Sequence, residues 1–468
     1  MKSITNSLFL LFCVVSLAQQ PVFNLVVDNE LLSQDSCLTN NTNYNELTLA
    51  VSSDDTVAIF TLEINVSVGE NNKKFSGVSE FENFDFKFWL LSNNAFNSDL
   101  DFVIQLNWVN EKNQSFNQTI KRCLSRVVTE GNDRGGRGKP DYVKLPIHFA
   151  TDRNIVETDD LNEVFGTERS TLKYGLTQVS IPHDHKIGEI ESPSVWKFEF
   201  SEDPAKHIMM HEIKVMDKER FFNSLSYGIQ NSKKKSTFLF IHGYNTSFSD
   251  AAKRTAQISY DLLFEGKAVF YSWPSQASTV KYAKDEANIE WSRHNIKLFL
   301  RDYLSRSGAE EIFLVAHSMG NRGLTRAIIE VVSENPELKD KIKEIILAAP
   351  DIDADVFKRD IAPQMVSKIQ KPITLYVSSD DLALKASKEL HGNPRAGDSG
   401  QNMVIVDGVE TIDASGIDTS FLSHSYFADT SSIISDIFDL IQSGKRALNR
   451  ESLKLMKLSN QIYWKVKK

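Results

Sequence analysis

From Phe238 onward, short continuous apolar runs alternate with segments of helical period, and few folds accommodate that pattern. The runs are Phe238–Ile241, Ala268–Tyr271, Ile312–Ala316, Ile345–Ala348, Ile373–Val377 and Met403–Val406. Between and after them, Ser249–Phe264, Tyr282–Leu304, Asn321–Ser333 and Tyr426–Ile441 carry apolar residues at three- and four-residue spacing. A strand that is apolar at every position is covered on both faces. Strands separated by helices run parallel. The expectation is an α/β domain, a mostly parallel sheet with helices on both faces. Ligands of such a sheet sit beyond the carboxyl ends of its strands.

Upstream the character differs. Glu46–Val51, Val57–Ile64 and Asp101–Trp108 alternate apolar and polar residues, with Asn-, Ser- and Asp-rich turns between them. This predicts a separate all-β, sandwich-like domain over residues 19–128. Residues 129–141 hold Gly135, Gly136 and Gly138, charges of both signs and no apolar residue, and read as a flexible linker. Residues 142–445 form the α/β domain, and 446–468 read as a basic C-terminal helix or tail. At the start, Lys2, the apolar stretch Leu8–Val15 and Ser16-Leu17-Ala18 have the order of a secretory signal peptide over residues 1–18. That implies a secreted, periplasmic or cell-surface protein. Removal of the leader takes Cys13 and leaves Cys37 and Cys123, a candidate disulfide in an oxidising compartment. A formal charge of −9 with no concentrated basic patch argues against a nucleic-acid partner. Lys233–Lys235 reads as a solvated turn.

The residues that carry chemistry fall at the ends of the apolar runs. Ala316-His317-Ser318-Met319-Gly320 follows one and opens a helix. A serine there stands on a tight strand-to-helix turn with small residues two positions to either side. Near pH 7 its hydroxyl needs a base, and the base needs an orienting carboxylate. In an elbow of this kind the chain order is Ser, then Asp or Glu, then His. His424 lies just before the closing helix and is the expected base, whereas His391 reads as a helix-end residue. Asp381, after Ile373–Val377, is the first choice of carboxylate and Asp380 the second. Asp351 and Asp353 are a less favoured source of the carboxylate and read first as helix caps before Val356 and Phe357. The amide of Met319 and that of Tyr244, in His242-Gly243-Tyr244-Asn245, are the expected oxyanion donors. His242, Gly243, His317 and Trp273 are candidate pocket residues, with packing an equal alternative for Trp273 and Tyr282.

These stretches resemble the α/β-hydrolase superfamily and, more narrowly, the DUF900 family of α/β hydrolases. The resemblance runs from about Pro146 to Asp429. It is carried by Phe149-Ala150-Thr151-Asp152-Arg153, Tyr174-Gly175, Val179-Ser180-Ile181-Pro182, Phe240–Asn245 and Ser272-Trp273-Pro274-Ser275. Ala316–Arg322, Ala348–Asp353 and Ser379–Leu384 follow in order. The resemblance implies Ser318, Asp381 and His424 as a triad by position, and it implies no substrate. Residues 19–128 lie outside it.

The resulting expectation is an exported serine hydrolase, a carboxylesterase acting on a small-molecule, lipid or polymer ester, without a cofactor. The alternatives are an amidase or peptidase on the same triad, or a non-catalytic binding protein on a hydrolase scaffold. The β-rich domain is expected to bind a surface or a partner. His183-Asp184-His185 and the His207/His211 pair lack a third ligand, so no metal is expected.

Overall fold

The computed structural model describes residues 141–193, 201–416 and 431–467, and discontinuous strand segments between residues 22 and 125. The chain divides into two units, Met1–Val127 and Val128–Lys468.

In the first unit the described strands are β1 (Val22–Val27), β2 (Glu30–Leu31), β3 (Leu38–Thr39), β4 (Leu47–Ser52) and β5 (Ile59–Val68). They continue with β6 (Asn71–Ser76), β7 (Phe102–Asn110), β8 (Ser115–Arg122) and β9 (Leu124–Ser125). They form antiparallel sheets β2-β1-β4 and β6-β5-β7-β8, and a parallel β3-β9 pair. The period-two pattern works as anticipated in β7. Phe102, Ile104, Leu106 and Trp108 are buried, while Gln105 and Asn107 are exposed. The signal peptide, Cys37, Cys123 and linker residues 129–140 lie outside the described residues.

The second unit is built on an eleven-stranded sheet. It opens with an antiparallel meander, β10 (Tyr142–Ile155), β11 (Phe165–Pro182) and β12 (Met209–Met216). Then come α1 (Lys218–Gln230), β13 (Ser236–Ile241), α2 (Phe248–Asp261), β14 (Lys267–Ser272), α3 (Tyr282–Arg306), β15 (Glu311–His317), α4 (Gly320–Glu334) and β16 (Ile342–Ala348). β17 (Ile373–Val377), α5 (Leu382–His391), β18 (Glu410–Asp413), α6 (Ser431–Ser443), β19 (Leu453–Leu458) and β20 (Gln461–Val466) complete it. The order across the sheet is β12-β11-β10-β14-β13-β15-β16-β17-β18-β20-β19, and β10-β14-β13-β15-β16-β17-β18-β20 pair in parallel.

Burial explains why the central strands show no alternation. All six residues of β13 and all five of β17 are buried. Leu239, Ile241, Val269, Tyr271, Leu314 and Ala316 share one cluster with Phe221 and Leu225 of α1, Ile296 and Leu300 of α3, and Leu324 and Ile328 of α4. On the opposite face Phe238 meets Phe264 at 5.0 Å between ring centres, and Phe270 meets Phe248 of α2 at 5.2 Å.

Two expectations are corrected. Met403–Val406 is not a strand. Met403 and Val404 are buried in a loop, and the parallel strand is Glu410–Asp413. The apolarity of the run records burial rather than pairing. The C-terminal segment is not a helix but the hairpin β19–β20, which joins the sheet beside β18. Leu453, Leu455 and Ile462 alternate with Lys454 and Gln461, the period of a strand. Ser459 and Asn460 at the turn have φ of 47° and 68°, the two positive values that a two-residue hairpin of type I′ requires.

The chain leaves β13 for β14 on one side and leaves β15 for β16 on the other. Adjacent strands whose connections depart in opposite directions open a crevice at their carboxyl ends. The loops that meet there start at His242 and His317.

Candidate active site

Ser318 follows the last residue of β15 and precedes the first turn of α4. Its φ is +48°, in the left-handed region. A serine held there costs roughly 1–3 kcal/mol and persists only where its surroundings over-determine it. They do so here. The Ser318 amide donates to the Ala348 carbonyl at 2.9 Å, and its own carbonyl accepts from the amides of Asn321 and Asp351, each at 3.2 Å. The buried Asn321 side chain donates to the carbonyls of Ser318 (2.9 Å) and Ala348 (3.1 Å). Gly320 is required by packing, since a Cβ there would lie 2.4 Å from the His242 carbonyl oxygen.

The loop after β13 lies directly against this elbow. A Cβ on Gly243 would stand 3.0 Å from both His317 Nδ1 and Ser318 Cβ. The amides of Gly243, Tyr244 and Met319 donate to no group among the described residues. Buried backbone donors are nearly always paired, so amides left over at one point of a crevice are a place for an acceptor. The positive end of α4 starts at Gly320, one residue beyond Met319.

The flanks of that loop are held from several directions. Trp273 Nε1 donates to the His242 carbonyl at 2.8 Å, and the two rings stack at 5.1 Å. His242 Nε2 meets Ser272 Oγ at 3.1 Å. Arg153 is fully buried and donates to the carbonyls of Thr246 (2.7 Å), Ser275 (2.9 Å) and Gly166 (3.0 Å) and to Ser272 Oγ (2.8 Å). Burial pulls its guanidinium down to about 10, against the opposing pull of Asp152, Asp285 and Asp250. Trp273 is 0% exposed and supports the loop. His242, at 2%, does the same.

His317 does line a pocket. With Ala348, Ala349, Tyr376, Val377, Ser378, Ala414 and Ile433 it lines a small, largely apolar, open pocket at the carboxyl ends of β15–β18. The two aspartates after β17 differ in surroundings. Asp380 is exposed, and its Oδ2 accepts from the Gly416 amide at 2.5 Å. Asp381 is half-buried and accepts from the Leu384 amide at 3.0 Å, in the first turn of α5. The Tyr244 hydroxyl is pushed up by burial and by the charges of Asp381, Asp351 and Asp285. Asp381 thus acts electrostatically on the loop that meets Ser318. His424 lies outside the described residues.

Asp353 caps the next helical turn as expected, accepting from the amides of Asp355 and Val356. Asp351 does not. It is 1% exposed, and its carboxylate takes Arg395 Nε (2.9 Å), Ser387 Oγ (2.6 Å), Arg322 (3.4 Å) and the Tyr282 hydroxyl. Burial would raise this carboxyl, but Arg322 and Arg395 hold it below its ordinary range. His391 sits at the end of α5, with Nδ1 2.8 Å from the Ser387 carbonyl and Nε2 3.3 Å from Glu286. Among the described residues no group of three His, Cys, Asp or Glu side chains could hold a metal. His207 Nδ1 accepts from the Asp203 amide, and His211 stacks on Tyr142.

Sequence reasoning assigned no role to Arg153, Asp285 or Asn321, and read Asp351 as a helix cap rather than as the centre of a buried charge cluster. Arg153 and Asp351 stand inside stretches that carry the family resemblance, which was the available signal. Their partners lie far along the chain.

Residues 217–443 match the family described as "Alpha/beta hydrolase of unknown function (DUF900)". Over this segment, just under half of the chain, the protein is similar to that family, and its sheet and helices have the α/β-hydrolase order its motifs indicated. Lipase B of Aspergillus fumigatus is similar at 14% identity over 41% of this chain and 46% of its own, with a TM-score of 0.24. The chain thus spans less than half the length of that lipase. The carboxylesterase CesB (YbfK) of Bacillus subtilis is similar at 10% identity over 45% of this chain and 85% of its own, with a TM-score of 0.24. No curated protein matches the chain.

Proposed function

We propose that this chain is an exported serine hydrolase that cleaves carboxylic esters through an acyl-enzyme. The observation that carries the reading is the left-handed Ser318 between the amides of Met319 and Tyr244, which donate to no group among the described residues. Ser318 Oγ attacks the ester carbonyl carbon while His424 takes the hydroxyl proton. The carbonyl oxygen becomes an oxyanion and accepts from the two amides. The intermediate collapses, the C–O bond breaks, and His424 returns the proton to the departing alcohol. Water then repeats the sequence on the acyl-enzyme and releases the acid.

Asp381 orients the imidazole of His424. Its half-buried position and its effect on Tyr244 support this choice, whereas Asp380 spends an oxygen on the Gly416 amide at the surface. The apolar residues Ala348, Ala349, Val377 and Ala414 beside His317 favour an apolar acyl group over a charged one. Export is supported by the leader pattern of residues 1–18. The β-rich unit serves as a binding module for a surface or a partner.

The test is turnover of nitrophenyl esters by the purified mature chain. Ser318→Ala and His424→Ala each abolish turnover in a folded protein, and Asp381→Asn costs more than Asp380→Asn. Full activity of Ser318→Ala would overturn the reading. Amide cleavage without ester cleavage would move the chain to the amidase alternative.

A further inference from the structure

Asp285, in the first turn of α3, is a fully buried carboxylate that holds two loops together. Its Oδ2 accepts from the Asn245 amide at 3.0 Å and from Ser275 Oγ at 2.6 Å, and its Oδ1 from the Gln276 amide at 2.7 Å. Ser275 Oγ in turn accepts from the Thr246 amide at 3.1 Å. The loop after β13 and the loop after β14 are therefore tied to one carboxylate.

The tie sits next to the chemistry. Asn245 has φ of +54°, so the loop turns back sharply at the residue after Tyr244. With the amides of Asn245 and Thr246 consumed by Asp285 and Ser275, and the Thr246 carbonyl by Arg153, the Tyr244 amide is left for another acceptor. Burial pushes the Asp285 carboxyl up, opposed by Ser275, the two amides and Arg153. A surface loop would not need a desolvated carboxylate to hold it. A loop whose amide must meet a developing charge within a few tenths of an ångström does, because misplacement by about 1 Å costs on the order of a hundredfold in rate.

We propose that Asp285 is a positioning residue that fixes the Asn245 backbone and thereby aims the Tyr244 amide at the oxyanion. The proposal rests on the serine-hydrolase reading above. It requires a carboxylate. Three donors converge on Asp285, and an asparagine offers one oxygen to them and turns an NH₂ toward the remainder.

The experiment compares the wild type with Asp285→Asn, Ser275→Ala and Glu344→Gln in the full mature chain. Glu344 is 3% exposed, lies near the amino end of β16 and bonds Thr374 and Arg446, so it reports loss of a buried carboxylate remote from the site. Steady-state ester kinetics, inhibition by a trifluoromethyl ketone that forms a tetrahedral adduct, and thermal unfolding are read for each. Asp285→Asn lowers kcat about a hundredfold with KM within about twofold, and ketone affinity falls in parallel. Ser275→Ala shows the same split at smaller size. Glu344→Gln lowers the melting temperature and leaves kcat unchanged.

An Asp285→Asn enzyme with wild-type kcat, or one whose loss appears in KM alone, would overturn the proposal. If Asp285→Asn does not fold, Ser275→Ala decides: an unchanged kcat there rejects the tie. A wild type that neither turns over nor takes a fluorophosphonate would instead refute the serine-hydrolase reading, and the proposal with it. The two failures are therefore told apart by the wild type.

Discussion

Replacing Asp351 by alanine isolates the energetics of the frame behind Ser318. The carboxylate is 1% exposed, and Arg395, whose guanidinium it pairs at 2.9 Å, is 4% exposed. The substitution leaves Arg395 buried without this counter-ion, and removes the acceptor of Ser387 Oγ and one partner of the Tyr282 hydroxyl. Breaking a buried pair by deleting one partner typically costs about 3–5 kcal/mol, most of it from the stranded charge. The double variant Asp351→Ala/Arg395→Met should therefore be less destabilised than Asp351→Ala alone. The pH dependence follows from the depressed carboxyl. Its stabilisation is present above the unfolded carboxyl value of about 4 and disappears as pH falls through the lower folded value. Urea unfolding followed by tryptophan fluorescence at pH 7 and in the acid range measures both. A loss below about 1 kcal/mol at pH 7, or a double variant weaker than the single one, would refute the reasoning.

Two further outcomes follow from local geometry. Gly243→Ala places a methyl 3.0 Å from Ser318 Cβ and pushes the loop off the elbow. Ester turnover should fall about a hundredfold while urea stability changes by about 1 kcal/mol, and retained turnover would show that the loop does not serve the reaction. His185 lies buried between Asp261 (2.8 Å) and Glu191 (2.9 Å). Burial opposes its charge, but the two carboxylates outweigh burial and push it up to about 10. A raised folded value gives stability that is full below the ordinary histidine value of about 6.5 and is lost as pH rises through about 10. The wild type should lose urea stability between pH 7 and 10, and His185→Gln should lose much less over that interval. Parallel curves would contradict this.

Elements whose residues decide their own fate were legible in the chain. Ile373–Val377 is apolar at four of five positions between Pro372 and Ser378, and the strand has those bounds. The Ser318 elbow was legible because its geometry demands small residues at fixed offsets, and Gly320 meets a carbonyl where any side chain would clash. Met403–Val406 misled because burial in a loop and burial in a sheet select the same residue types. The hairpin Leu453–Val466 was missed because its lysines suggested a solvated tail, although period two and the Ser459-Asn460 turn were present. The frame of the site was not legible at all. Arg153 finds its acceptors 93, 119 and 122 residues along the chain, and Asp285 reaches 40 residues back to Asn245. No local pattern carries such partnerships, and a buried arginine or aspartate reads as an ordinary surface charge until the fold encloses it.

The most direct test of the account is to treat the mature protein with a fluorophosphonate and map the adduct by mass spectrometry, beside Ser318→Ala. The account predicts one adduct per chain, on Ser318, formed in step with loss of ester turnover and absent from the variant. A folded protein that takes no label, or takes it at another serine while still hydrolysing esters, would contradict it.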